Sequence, residues 1–137
     1  MKLATLLLAV ALSPLVVAAA DKDDAKARKE LLGTWKGRVQ NGATGHELTF
    51  TKTRITGKQY EEEDLGEGSY TIDRSKKPWR LDGTYTKGPE KGTKCAGIYS
   101  LKGDTLMWCV NASGSEPPKK FETAGSSFLL VLKRQKK

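Results

Sequence analysis

The chain has 137 residues, with 24 Lys and Arg against 16 Asp and Glu, so its formal net charge at pH 7 is +8. This length provides one domain with a single core and excludes two domains of ordinary size. The lysines are scattered along the chain and not massed in one block, which favours a soluble basic surface and argues against nucleic-acid binding.

The first twenty residues differ in composition from the rest of the chain. Lys2 is their only charged residue, residues 3–17 are almost wholly apolar, and a run of alanines ends at Ala20. This pattern predicts a signal peptide over residues 1–20, cut after Ala20, and a single domain over residues 21–137. We therefore expect a secreted or periplasmic protein with no membrane span after cleavage. The alternative is an anchor helix that is not removed.

Residues 21–32 carry their acids first, then the basic residues Lys26, Arg28 and Lys29, and Gly33 follows them. Early acids, late bases and a terminal glycine are typical of a short helix. From Thr34 the hydrophobic period changes from that of a helix to two, which indicates β-strands.

Eight segments after this helix alternate between apolar and polar residues, as strands with one buried face do. Turn-forming residues separate them and no link is long enough for a crossover, so neighbours should pair antiparallel. The predicted strands are residues 35–40, 46–51, 54–56, 68–72, 79–86, 95–101, 105–110 and 128–134. Because closure removes exposed edges, we predict an all-β fold, an eight-stranded antiparallel up-and-down barrel with a short N-terminal helix. An open sandwich is the alternative.

Cys95 and Cys109 are the two cysteines, and an exported protein could join them. The segment 101–105 predicts a hairpin whose two-residue loop is Gly103-Asp104. That register places Cys109 opposite Ile98, so the two cysteines lie on opposite faces of the ribbon unless a bulge shifts the pairing. We predict two free and mostly buried thiols.

Candidate catalytic and metal-binding groups are sparse. His46 is the sole histidine, which disfavours a zinc site and the Ser–His–Asp and Cys–His schemes, unless His46 meets a cysteine in space. The acids at 61–64 and at Glu67 lack the alternating spacing of a calcium loop, so we predict a solvated loop there. The sequence predicts no catalytic residue, no metal and no cofactor, and we do not expect an enzyme.

The predicted inward face of the strands is rich in aromatic residues: Trp35, Trp79, Trp108, Tyr70, Tyr85 and Tyr99. Small eight-stranded barrels either fill their interior or hold one small ligand, and aromatic walls with a few hydroxyl groups suit both. We assign Trp35 to structure. The candidate ligand-binding residues are Trp79, Tyr85, Tyr99 and Trp108, with a packed core as the alternative.

Several motifs resemble a known superfamily. Gly33-Thr34-Trp35 on the first strand and Arg134 on the last resemble the lipocalin-like (calycin) signature. A longer ordered series resembles the lipocalin-like domains of uncharacterised function that are abundant in planctomycete bacteria: Leu32-Gly33-Thr34-Trp35, Leu48-Thr49-Phe50, Ser75-Lys76-Lys77-Pro78, Gly97-Ile98-Tyr99, Gly103-Asp104-Thr105-Leu106 and Leu129-Leu130-Val131-Leu132-Lys133-Arg134. The resemblance implies a lipocalin-like barrel with Gly33, Trp35 and Arg134 as its structural signature, and it brings no established activity.

Two functional hypotheses follow from the pattern and the resemblance. The first is a secreted lipocalin-like binding module for a small, largely apolar ligand. The second is a structural or interaction domain of the cell envelope, which docks an anionic polymer or a partner protein through basic residues such as Lys119, Lys120 and those at 133–137. Under either hypothesis, Arg134 should lie against the Trp35 ring at about 4 Å, because both residues are inward on strands that closure makes neighbours.

Overall fold

The computed structural model describes residues 24–42, 45–59, 63–88, 90–111 and 116–136. The predicted signal peptide and its cleavage position lie outside these residues. One helix, α1, spans residues 24–31 of the described chain. Eight strands follow it: β1 (Gly33–Val39), β2 (Gly45–Phe50), β3 (Arg54–Gln59), β4 (Glu63–Asp73), β5 (Trp79–Tyr85), β6 (Lys94–Lys102), β7 (Thr105–Asn111) and β8 (Ser127–Arg134).

The strands form one closed barrel in which each strand pairs antiparallel with the next, and β8 pairs with β1. The prediction of an all-β, eight-stranded up-and-down barrel with a short N-terminal helix is confirmed, and the open sandwich is wrong. Closure leaves no strand edge unpaired, which is how a chain with this many short strands avoids pairing with other molecules.

The structure corrects one predicted loop. Glu63 and Asp64 belong to the beginning of β4 and pair with Gln59 and Lys58, after a register shift next to Gly57. The run of acids has no alternation of apolar and polar residues, but ladder hydrogen bonds need only the main chain. The bulge therefore lets β3 and β4 stay paired through this segment. Glu67, also predicted to lie in this loop, belongs to β4, and residues 61–62 lie outside the described residues.

The β6–β7 hairpin has the predicted register. Lys102 pairs with Thr105 around Gly103-Asp104, and Ile98 pairs with Cys109. Both cysteines are free, as predicted: Cys95 is half-buried and Cys109 is fully buried. Cys109 packs on the outer face of the barrel in a small cluster with Ile98, Leu129, Met107 and Phe121.

The helix seals one end of the barrel. Ala27 and Leu31, one turn apart on α1, are both completely buried. Three arginines lie over aromatic rings at this end, with the guanidinium carbon 4.5 Å (Arg28 over Tyr70), 4.0 Å (Arg74 over Trp79) and 4.3 Å (Arg134 over Trp35) from the ring centroids. Stacking of this kind combines cation–π attraction with burial of the ring.

The predicted contact between Arg134 and Trp35 is therefore confirmed. The two residues are direct partners across β1 and β8. Arg134 also donates hydrogen bonds to the carbonyl oxygens of Leu32 (3.1 Å) and Glu30 (2.8 Å), and the Trp35 indole donates one to Leu31 O (2.9 Å). The last carbonyl groups of a helix lack intrahelical donors, so this pair satisfies the C-terminal end of α1 while it closes the barrel.

Candidate ligand-binding cavity

A cavity of about 240 Å³ lies inside the barrel at the end opposite α1. Its lining comes from every strand from β2 to β8. The apolar side chains of the lining are Leu48, Ile55, Trp108, Val110, Phe128 and Leu130. The barrel thus has a packed half beneath the helix and a hollow half at the other end.

The hollow half exists because one side of its wall is rich in glycine and has few large side chains, the exceptions being Ile55 and the Tyr85 ring next to Gly66. Gly57, Gly66, Gly68 and Gly83 all line the cavity from three adjacent strands, β3, β4 and β5. In a closed ring of eight strands, β3 and β4 lie across from β7 and β8, which contribute the bulky residues of the lining. Bare backbone faces large apolar side chains, and the space between them is not filled.

Trp108 separates the hollow half from the packed half. Its indole N–H donates a hydrogen bond of 2.9 Å to the carbonyl oxygen of Leu81 on β5, so the ring reaches across β6. The crossing passes directly over Gly97, where an added Cβ would lie 2.5 Å from the indole nitrogen. A residue with any side chain at this position would displace the Trp108 ring.

The β5–β6 ladder is interrupted where Trp108 crosses it, since ladder pairs are found on both sides of residues 81–82. The Asp82 carboxylate takes over part of the missing pairing by accepting a hydrogen bond from the Gly97 backbone N–H at 3.1 Å. Arg80 in turn donates to both carboxylate oxygens of Asp82, at 2.9 and 2.8 Å. Side chains therefore replace strand pairing at the floor of the cavity.

Besides Glu67, five polar residues belong to the described lining: Ser69, Thr84, His46, Tyr85 and Cys95, of which the last three fall on the inward face by alternation along their strands. Burial lowers the pKa of the His46 imidazole from its ordinary 6.5, so the neutral form dominates at pH 7. Burial raises the pKa of the Tyr85 hydroxyl and of the Cys95 thiol, and the nearby Glu90 carboxylate adds to both shifts. All three groups are uncharged, and His46 makes no hydrogen bond with either described cysteine.

Glu67 is the one carboxylate among the described lining residues, and two basic side chains neutralise its charge. Its carboxylate accepts from Arg54 at 2.9 Å and lies 3.1 Å from the Lys87 ammonium group. The hydrogen bond with Lys87 is the main reason that the pKa of Glu67 is below its usual value. Among the described residues, no three His, Cys, Asp or Glu side chains lie close enough together to hold a metal ion.

The four aromatic residues predicted to bind ligand divide between the two halves of the barrel. Tyr85 and Trp108 line the cavity. Trp79 and Tyr99 lie at the helix end with their ring centroids 5.6 Å apart, and Arg74 donates a hydrogen bond to the Tyr99 hydroxyl (2.9 Å). His46 and the glycines are not among the predicted ligand-binding residues, although the inward alternation of the glycines with Ile55, Tyr70 and Leu81 is visible in the sequence.

No protein-family model, no curated protein and no solved structure matches the chain. The resemblance to lipocalin-like domains therefore stays a prediction. Across the described residues, no helix has the length and apolar character needed to cross a membrane.

Proposed function

We propose that the protein is a secreted, lipocalin-like binding module that holds one small, largely apolar molecule in the hollow half of its barrel. The observation that carries this proposal is the cavity of about 240 Å³, walled by six apolar side chains and bare glycine backbone. A dry cavity of roughly 150 Å³ is enough to bind benzene in another protein, so this volume suits a molecule somewhat larger than one ring.

The second hypothesis, docking of an anionic polymer or a partner protein, has less support. Seven basic side chains of the described residues form ion pairs, as in Lys36–Glu47 (3.8 Å) and Arg54–Glu67 (2.9 Å), whereas Lys119 and Lys120 are not among them. Paired charges of this kind weaken the field that a polyanion would meet. An apolar cavity, by contrast, favours the transfer of an apolar molecule out of water. We therefore prefer the ligand-binding function, and we propose no catalytic step.

The proposal is tested by filling the cavity from Gly83. A Cβ there would lie 3.9 Å from the Trp108 ring, an ordinary contact distance, so the backbone accepts a side chain that projects into the space. We expect Gly83→Val to abolish binding of an apolar fluorescent probe and to remove any ligand mass seen by native mass spectrometry of the protein purified from its source.

The matched control is Thr71→Val, which places the same side chain at an exposed position on the neighbouring strand β4. This variant should bind the probe like the wild-type protein. Circular dichroism should show that both variants keep the barrel. Unchanged probe binding by a folded Gly83→Val variant would remove the cavity from consideration as the binding site.

A further inference from the structure

The polar groups of the cavity wall are available to a ligand. Neither the His46 imidazole nor the Tyr85 hydroxyl has a hydrogen-bond partner among the described residues, although both line the cavity. No buried side-chain nitrogen or oxygen of the described residues lacks a partner. The polar atoms of His46 and Tyr85 must therefore reach open space, where a ligand can bind them.

The interior of the hollow half offers no counter-charge to an ion. Glu67 is the only Asp, Glu, Lys or Arg among the described residues of the lining, and Arg54 and Lys87 already hold its carboxylate. A charged group brought into an apolar cavity without a partner loses its hydration and gains little in return. The cavity therefore selects against charged ligands.

The hydrogen-bonding capacity of the wall fits an uncharged polar group. Burial keeps the His46 imidazole neutral, so it has one donor and one acceptor nitrogen. The Tyr85 hydroxyl can also donate or accept. A hydroxyl or carbonyl group on the ligand could pair with both side chains, whereas a purely apolar ligand would leave both groups without partners inside the complex.

We propose that the cavity binds an uncharged molecule of about the size of one substituted aromatic ring, whose single hydroxyl or carbonyl group hydrogen-bonds to Tyr85, with His46 as the second polar group of the wall. The ring lies against the glycine wall of β3, β4 and β5. This inference rests on the proposed binding function and adds the chemical class of the ligand to it.

Four matched probes test the proposal by isothermal titration calorimetry: p-cresol, toluene, p-toluate and 4-methylbenzylammonium. They share a ring and a methyl group and differ in the polar group. We expect p-cresol to bind most tightly, and each charged probe to bind at least about tenfold more weakly, because no lining residue compensates its charge.

Two variants assign the polar contacts. Tyr85→Phe removes one oxygen atom and should weaken p-cresol binding about five- to tenfold while toluene binding changes less than about twofold. In the double variant Tyr85→Phe with His46→Leu, p-cresol should bind no better than toluene. Tyr85→Phe alone keeps the test decisive if the double variant does not fold.

The outcomes separate this inference from the proposed function. If toluene and p-cresol bind equally and Tyr85→Phe changes neither, or if a charged probe binds as tightly as p-cresol, the ligand class is wrong and the binding function stands. If none of the four probes binds to the folded wild-type protein, both the ligand class and the binding function are wrong.

Discussion

Arg134 joins three parts of the molecule through one guanidinium group. It lies over the Trp35 ring, bonds to two carbonyl oxygens at the end of α1, and donates to the Asp104 carboxylate in the β6–β7 turn at 3.2 Å. A planar fork with several donors can satisfy these partners together, and a lysine ammonium group cannot stack in the same way. The residue is thus structural, and it lies at the end of the barrel opposite the candidate ligand-binding cavity.

We expect Trp35→Ala to lower the free energy of unfolding by about 3–5 kcal/mol, because a completely buried indole leaves a void in the packed half. Arg134→Lys should have a smaller but measurable effect, since the stack and part of the carbonyl contacts are lost. Urea denaturation measures both. The control is Lys36→Ala, an exposed neighbour on β1, which should change stability by less than about 0.5 kcal/mol. A Trp35→Ala cost no larger than that of the control would show that the pair does not hold the barrel closed.

At the scale of a strand pair, the interrupted β5–β6 ladder is the least regular part of the sheet. Two main-chain groups find side-chain partners there: the Leu81 carbonyl oxygen accepts from the Trp108 indole, and the Gly97 N–H donates to Asp82. Buried main-chain groups without partners are costly, so these substitutes are needed wherever a tryptophan is laid across a strand.

Gly97→Ala should therefore destabilise the protein by about 1–3 kcal/mol, as overpacking does in other cores. The added Cβ would lie 2.5 Å from the Trp108 nitrogen and 2.8 Å from Leu81 O, so the indole bond must break or the strands must separate. Gly83→Ala on the adjacent strand meets nothing closer than 3.9 Å and should be neutral or slightly stabilising. Thermal denaturation compares the melting temperatures of the two variants, and equal melting temperatures would contradict the expectation.

The whole molecule consists of two halves that share eight strands but differ in packing. Beneath α1 the interior is filled, and beyond Trp108 it is hollow. The same strands pass through both halves, so the difference comes from which side chains point inward at each level and not from the topology. Stability should accordingly be concentrated in the filled half and binding in the hollow half.

Leu132 and Leu130 lie on the same face of β8, one in each half of the barrel, so substitutions there compare the two halves directly. Leu132 is completely buried in the filled half, whereas Leu130 lines the cavity. We expect Leu132→Ala to cost about 2–5 kcal/mol and Leu130→Ala clearly less, because Leu130 already lacks neighbours on one side. Apolar probe affinity should change in Leu130→Ala only. If both variants lose the same free energy of unfolding, the hollow half must close in solution.

Period and turn length were enough to predict much of this protein. The eight strands, the Gly103-Asp104 hairpin, the opposite facing of Cys95 and Cys109, and the Trp35–Arg134 contact all depend on alternation and on which strands are neighbours. These are local properties, since a side chain on a strand has only two directions to point. The beginning of β4 was missed because a bulge there breaks the alternation on which the prediction depends.

Only the tertiary structure decided where the interior is filled and where it is hollow. Alternation placed Trp79, Tyr85, Tyr99 and Trp108 on one inward face without distinguishing their levels along the barrel. The closed ring puts the glycine wall of β3 and β4 opposite β7 and β8, and it brings Arg74 over both Trp79 and Tyr99 at the other end. Whether opposed side chains meet or leave a space depends on residues far apart in sequence, so the division of the barrel into a packed core and a cavity appears only when all eight strands have closed.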